Sequence, residues 1–346
     1  MGALGHTPGT PFRYDRKRKS DKGPSKASAG PDPCELYKIH LADAFAWLEN
    51  REPQTIHAIV TDPPYGLKEY TDLEKEKLRK GRGGVWRIPP SFDGCKRSPL
   101  PRFTVLDEAE LLALRAFFVE FGRRAIRVLV PGAHLVIATN PLLSHLVYVP
   151  LIEAGFEKRG EIIRLVQTLR GGDRPKNAHD EFRGVSVMPR SGWEPWGLFR
   201  KPCEGRVQDN LRKWGAGGLR RVSESDPFVD VIRSAPTRPD ERKIARHPSL
   251  KPQALMRQIV RAVLPLGRGV VLDPFMGGGS TIAAAMAVGY RSIGLEHDPT
   301  YFRIAQEAIP VLAQIEVKAT SSGHGSTWGN GATAKRSRTD PHRQSG

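Results

Sequence analysis

Two rhythms of apolar residues run along this chain. Short runs at Leu36–His40 and Ile56–Thr61 flank a helical stretch at Ala42–Glu49, and predict strand, helix, strand. Residues 107–129 place Leu111, Leu114, Phe118, Phe121 and Ala125 at helical spacing, which predicts an amphipathic helix. His134–Ala138 reads as a buried strand, and a helix near 142–154 must be interrupted or kinked by Pro150. Further on, the pattern predicts a helix at 253–264, a strand at Val270–Leu272 and an alanine-rich helix at Ser280–Val288. A strand at Ser292–Leu295 and a last helix at Thr300–Ile315, perturbed by Pro310, complete the series. Alternating short strands and amphipathic helices imply an α/β fold with a parallel, doubly wound sheet. Residues 158–246 break the rhythm with scattered Gly, Pro, Arg and Trp, and read as an insert.

Composition sharpens this division. The 346 residues carry 54 Lys+Arg against 37 Asp+Glu, a formal net charge of +17. Residues 1–30 hold +5, residues 66–104 +5, residues 158–246 +8 and residues 319–346 +3, so the remaining segments sum to −4. Basic arms and inserts around a slightly acidic core point to a polyanionic partner such as a nucleic-acid backbone. Both ends, 1–30 and 319–346, have too few apolar residues to offset the entropy of folding and are expected to be disordered. No apolar run reaches the length of a membrane span, and the first residues contain no apolar core of a signal peptide. Three scattered cysteines, Cys34, Cys95 and Cys203, suit neither a disulfide framework nor a metal site. A reducing cytoplasm and no metal are the expectation.

Two strand ends carry candidate chemistry. Asp62-Pro63-Pro64-Tyr65 follows the run Ile56–Thr61, and ligands of open α/β sheets bind outside the carboxyl ends of strands. The prolines stiffen the turn and offer no amide hydrogen, so the Asp62 carboxylate and the Pro63 carbonyl form a set of acceptors beside an aromatic ring. Such a site suits an amino group lying against an aromatic face. A proline-stiffened turn capped by Asp62 is the plainer alternative. The second strand ends at Asp273 and runs into Pro274-Phe275-Met276-Gly277-Gly278-Gly279-Ser280-Thr281. Glycines permit close approach to the backbone, and the following helix start presents free amides. Glu296 lies 23 positions beyond Asp273, where a nucleoside site places its ribose acceptor.

At these residues the chain resembles the amino-directed DNA methyltransferases, the N6-adenine/N4-cytosine family that uses S-adenosylmethionine. Asp-Pro-Pro-Tyr at 62–65 matches that family's catalytic motif, and Asp273–Thr281 looks like its cofactor motif. His247-Pro248-Ser249-Leu250-Lys251-Pro252 resembles the segment just upstream of the latter, and Trp193–Lys201 resembles the one before the recognition region. The motif order is similar to the circularly permuted beta group. The resemblance covers roughly residues 36–315 and implies a Rossmann-like methyltransferase sheet with a basic target-recognition insert. It further implies a catalytic half at 31–157, a recognition insert at 158–246 that includes the last sheet strands, and a cofactor-binding half at 247–318.

Roles follow by match. Asp62 and the Pro63 carbonyl would accept the target amine's hydrogens, Pro64 would complete the turn and Tyr65 would stack on the flipped base. Glu296 would bind the cofactor ribose, with Asp273, Phe275, Gly277, Gly278, Gly279, Ser280 and Thr281 around its methionine end. Asp43 matches an acidic residue near the cofactor adenine, with a helix N-cap as its alternative; Lys251 matches a cofactor-proximal lysine. Arg170, Arg174, Lys176 and Arg183 in the insert, with Trp86 and Arg87 in the 66–104 loop, are candidate DNA contacts. Asp in the first motif position leans toward adenine N6, with cytosine N4 as the alternative. An RNA or protein amino-methyltransferase and a silent nucleic-acid-binding module are the remaining readings. Double-stranded DNA in a bacterial or phage cytoplasm, at the nucleoid, is the implied partner. A cognate restriction nuclease is a candidate second partner, and either a monomer or a homodimer is compatible with the resemblance.

Overall fold

The computed structural model describes residues 36–64, 91–92, 95–96, 106–166, 172, 174–175 and 177–317. All of these belong to one unit, Pro33–Gly346; a second unit, Met1–Asp32, lies outside the described residues, as do the sequence readings on 1–30 and 319–346.

Ile56–Thr61 (β2) is apolar on both faces because both faces are covered, as central parallel strands require. Around it an eight-stranded sheet assembles in the order β1-β10-β9-β2-β5-β7-β6-β8. Its strands are β1 (Tyr37–Leu41), β2, β5 (Leu129–Ala138), β6 (Glu157–Leu165), β7 (Trp193–Arg200), β8 (Val231–Arg233), β9 (Val270–Asp273) and β10 (Arg291–Glu296). The short strands β3 (Ser91–Phe92) and β4 (Cys95–Lys96) pair separately and antiparallel.

Helices α1 (Ala44–Glu49), α2 (Glu108–Val128) and α3 (Ser144–Glu153) share one core with one face of the sheet. Asp107 starts α2 with a capping box, its side chain accepting from Glu110 N while the Glu110 carboxylate accepts from Asp107 N. Leu114, Phe118, Phe121 and Ala125 then bury the predicted stripe. Between α3 and the later helices come α4 (Val207–Trp214) and α5 (Pro239–Ile244). On the other face, α6 (Gln253–Val263) packs Leu255, Met256, Ile259, Val260 and Val263 against Val60, Val136 and Val271, and α7 (Ser280–Ala287) adds Ala284 and Ala285. The last helix, α8 (Pro299–Gln314), packs on α7 around Ile309. α3 and α8 continue through Pro150 and Pro310. No described helix is long and apolar enough to cross a membrane.

One expectation changes here. The sheet is parallel through β1, β10, β9, β2 and β5; β7 then runs antiparallel to β5 and β6 antiparallel to β7, while the end strand β8 is parallel to β6. Consecutive antiparallel strands need no crossover helix, so the strand–helix rhythm stops at this point. The stretch 158–246 supplies nearly all of β6 and the whole of β7 and β8; between and after these strands come 166–192, 201–230 with α4, and 234–246 with α5. The apolar pattern conceals β6 because its first half is exposed and charged, and only Ile162 and Arg164 are buried in it.

α4 is pinned by a buried amide. Asn210 donates to the carbonyls of Pro131 and Ala216 at 2.9 and 2.7 Å, and accepts from Glu204 N at 2.8 Å. Gly132 (φ +77°) makes this possible, since a Cβ there would lie 2.3 Å from Asn210 Nδ2. The same turn adds residues to β5 without partners on β2, whose Ile56 and Ala58 pair with Leu129 and His134.

Candidate active site

Strand order converts distant sequence positions into a row. The carboxyl ends of β1, β10, β9 and β2 lie side by side, and Asp43, Glu296, Asp273 and Asp62 stand at or just beyond them. Neighbouring strands are about 4.8 Å apart, so three gaps give a row roughly 14 Å long.

Asp43 caps α1, accepting from Ala46 N at 2.8 Å, as the helix N-cap alternative requires. Next to it, Ala42 N donates to the Glu296 carbonyl at 2.9 Å. Glu296 is 7% exposed; its Oε2 accepts from Gly277 N at 3.0 Å and its Oε1 from Asp298 N at 2.8 Å. A carboxylate has about four acceptor positions, so two backbone donors leave capacity for a diol.

Asp273 is 3% exposed and held by neutral donors: its Oδ1 accepts from Thr61 Oγ1 at 2.7 Å and from Phe275 N at 3.1 Å, and Thr281 adds a side-chain bond. Burial pushes its pKa up to about 6 despite those bonds. Gly277 (φ +51°) and Gly279 (φ +83°) form the turn that follows. A Cβ on Gly277 would sit 2.7 Å from the His247 ring, and one on Gly279 2.5 Å from Ile309. The segment His247–Pro252 is thus packed directly on the glycine turn. His247 is pushed down to about 4 by burial and then by Lys251, so it is a neutral packing ring. Phe275 turns into the core against Phe117 and Phe121, with ring centroids 5.8 and 5.6 Å away. Ser280 and Thr281 are buried at the start of α7, where Ser280 Oγ accepts from Lys251 N at 3.1 Å.

Asp62 is held differently. Its Oδ2 accepts from Lys251 Nζ, while its buried Oδ1 has no partner among the described residues. Burial is the largest influence and pushes its pKa above the ordinary value; Lys251 opposes this and Glu194 adds to it. Pro63 is buried and Pro64 exposed. Asp62, Trp196, Lys251, Asp273, Phe275 and Gly277 line a cleft of about 330 Å³ that includes space open to solvent.

The structure therefore brings together Asp62, Lys251, Asp273, the glycine turn and Ser280–Thr281, with Glu296 bonded to the turn's first glycine. Lys251, matched to the cofactor side, also reaches the Asp62 carboxylate. Arg174 and Arg183 are exposed in the connection from β6 to β7, which leaves the sheet at the same edge as Asp62. Tyr65, Trp86, Arg87, Arg170 and Lys176 lie outside the described residues. Sequence reasoning missed Thr61, Arg164, Glu194 and Trp196. The Trp193–Lys201 segment stands out as a whole, but nothing in its residue types marks Glu194 as facing inward.

The chemistry of this row fits S-adenosylmethionine. A carboxylate with spare acceptors at Glu296 suits a ribose, and Asp273 beside the glycine turn offers a carboxylate toward an ammonium. Asp62 Oδ1 is a buried acceptor that lacks a donor among the described residues.

A family model described as DNA methylase matches residues 56–307. Type II methyltransferase M.HindIII of Haemophilus influenzae is 24% identical over 291 residues, spanning 77% of this chain and 93% of that one. M.MjaI of Methanocaldococcus jannaschii is 27% identical over 291 residues, spanning 80% and 91%. Among solved structures, TTHA0409 of Thermus thermophilus, described as a DNA modification methylase and complexed with S-adenosyl-L-methionine, superposes with a TM-score of 0.51. It is 22% identical, covering 81% of this chain and 95% of that one. The PvuII cytosine-N4-specific DNA methyltransferase does so with a TM-score of 0.51 at 13% identity, covering 81% and 87%. These two likenesses establish a shared fold.

Proposed function

The chain belongs to the DNA methylase family of the N6/N4 type, whose methyl donor is S-adenosylmethionine, and from that premise we propose that Asp62 and the Pro63 carbonyl receive the exocyclic amine of a flipped adenine. The observation that carries this is the buried, unpartnered Oδ1 of Asp62 beside the Asp273 turn. When bound, the cofactor supplies an electrophilic methyl group on a sulfonium. An exocyclic amine is a poor nucleophile because its lone pair is delocalised into the base. Two acceptors on its hydrogens favour a pyramidal nitrogen and free that pair for in-line attack. Asp62 is then placed to take the proton that the nitrogen must lose.

Glu296 would hold the ribose, and Asp273 with Gly277–Thr281 the methionine end. Tyr65 would stack on the base, which must leave the duplex to reach this depth. Arg174 and Arg183 on the β6–β7 connection, together with Arg170, Lys176, Trp86 and Arg87, would contact the duplex, phosphates setting position and bases setting specificity. Residues 158–246 would then both complete the sheet and read the target. The motif order corresponds to a circular permutation, with the catalytic half at 31–157 and the cofactor half at 247–318. A role in protecting DNA from a cognate nuclease, inside the compartment that holds that DNA, completes the reading.

Incubation of the protein with duplex DNA and methyl-labelled cofactor, followed by mass spectrometry of the nucleosides, tests it. N6-methyladenine is expected. N4-methylcytosine would overturn the choice of base, and label in neither would overturn the catalytic assignment.

A further inference from the structure

Asp62 is one end of a chain of charges that runs from the cleft into the sheet. Lys251 Nζ, paired with Asp62 Oδ2, lies 3.9 Å from Glu194 Oε1, and Glu194 Oε2 accepts from Arg164 at 3.1 Å. Arg164 is anchored on its far side by Ser234 Oγ at 3.2 Å and the Ala235 carbonyl at 3.1 Å. The Trp196 indole donates to Glu194 Oε1 at 2.8 Å, which fixes the carboxylate plane. Side-chain exposure is 15% for Asp62, 11% for Lys251, 19% for Glu194 and 6% for Arg164. The four signs alternate, and four separate segments of the fold supply them. Charges this far from water are costly, and packed apolar residues would often stabilise the fold as well. A geometric role explains their presence better than a stabilising one.

Resting on the reading of Asp62 as the amine's acceptor, we propose that Lys251 is a positioning residue of the transfer site, with Glu194 and Arg164 setting its hold. Lys251 occupies Oδ2, favours the ionised carboxylate against the effect of burial and leaves Oδ1 as the acceptor turned to the target amine. Its backbone is tied to Ser280 at the start of α7, so the glycine turn and the amine acceptor are registered through one residue. The charged groups facing Asp62 are Lys251 from the segment before α6, Glu194 from β7, Arg164 from β6 and Asp273 from β9. Without the ammonium, a carboxyl buried beside Asp273 would take up a proton and lose an acceptor.

Single-turnover rates against pH test this on the full chain with saturating cofactor and duplex. Lys251→Met is expected to move the acid limb upward by about 1–3 pH units and to slow transfer at neutral pH, with cofactor affinity changed less than about threefold. Lys251→Arg should restore most of the rate. Glu194→Gln should move the limb downward, because it removes the repelling neighbour of Asp62. Opposite displacements are what a packing role cannot produce. A Lys251→Met limb at the wild-type position, a loss of cofactor affinity equal to the loss of rate, or limbs moving in the same direction would overturn the proposal. Where Lys251→Met fails to fold, the Lys251→Arg and Glu194→Gln profiles decide. Activity retained by Asp62→Ala would sink the underlying reading instead; an inactive Asp62→Ala beside a normal Lys251→Met would sink this inference alone.

Discussion

Asp62 and Asp273 stand at the ends of neighbouring strands, the first half-buried and the second buried, and the fold holds them by opposite means. Asp273 is surrounded by neutral donors from Thr61, Phe275 and Thr281, whereas Asp62 is held by the Lys251 ammonium and keeps one oxygen open. Neutral hydrogen bonds fix an orientation and leave a carboxyl whose charge is governed mainly by burial. At Asp62 burial is again the largest influence, but the Lys251 ammonium opposes it and leaves part of the acceptor free. The first arrangement suits a group that shapes a binding turn; the second suits a group that must meet a changing partner during a reaction.

The largest effect should separate the two outright. Asp62→Ala is expected to lower transfer by about 10²–10⁴-fold while cofactor affinity stays within a few-fold, measured by radiolabel transfer and calorimetry. Comparable loss of both would erase the distinction. Asp273→Asn should do the reverse and weaken cofactor binding by about tenfold, or roughly 1.4 kcal/mol. The wild-type carboxyl, raised to about 6, becomes neutral as pH falls through that value, so cofactor affinity should decline below it. In Asp273→Asn that pH dependence should vanish, and its persistence would place the titrating group elsewhere. The linkage for stability has the opposite sign. A raised carboxyl pKa favours the folded state most at low pH, and that contribution is lost as pH rises from about 4 through about 6.

Thr61→Val sharpens the comparison further. Loss of the 2.7 Å bond to Asp273 should cost about 1–2 kcal/mol in urea unfolding and shift the affinity profile to higher pH. The acid limb set by Asp62 should stay in place, and its movement would show that the two carboxylates titrate together. The smallest effect is expected at the far end of the row. Asp43→Ala should cost about 1 kcal/mol as a lost helix cap. Unchanged cofactor affinity would confine Asp43 to that role; a clear loss would add contact with the cofactor.

The local elements were legible because their causes are local. Asp107 and Glu110 cap α2 from three residues apart, Leu114 to Ala125 repeat at the helical period, and Ile56–Thr61 announces a strand by its apolar run. The Asp62 turn and the Asp273 glycine turn are also contiguous, so residue type and spacing sufficed to mark them. Only the tertiary structure decided what those turns face. Lys251 and Asp62 are 189 residues apart, and they meet because β9 joins the sheet beside β2 while α6 starts over the same edge. Nothing in their residue types marks Glu194 or Arg164 as inward-facing, and for Arg164 a strand whose first half is charged hides the face its second half buries. Periodicity reports which side of an element is apolar, but strand order and strand direction depend on long-range pairing. The row of carboxylates, and the lysine that divides their roles, therefore exist only once the sheet has closed.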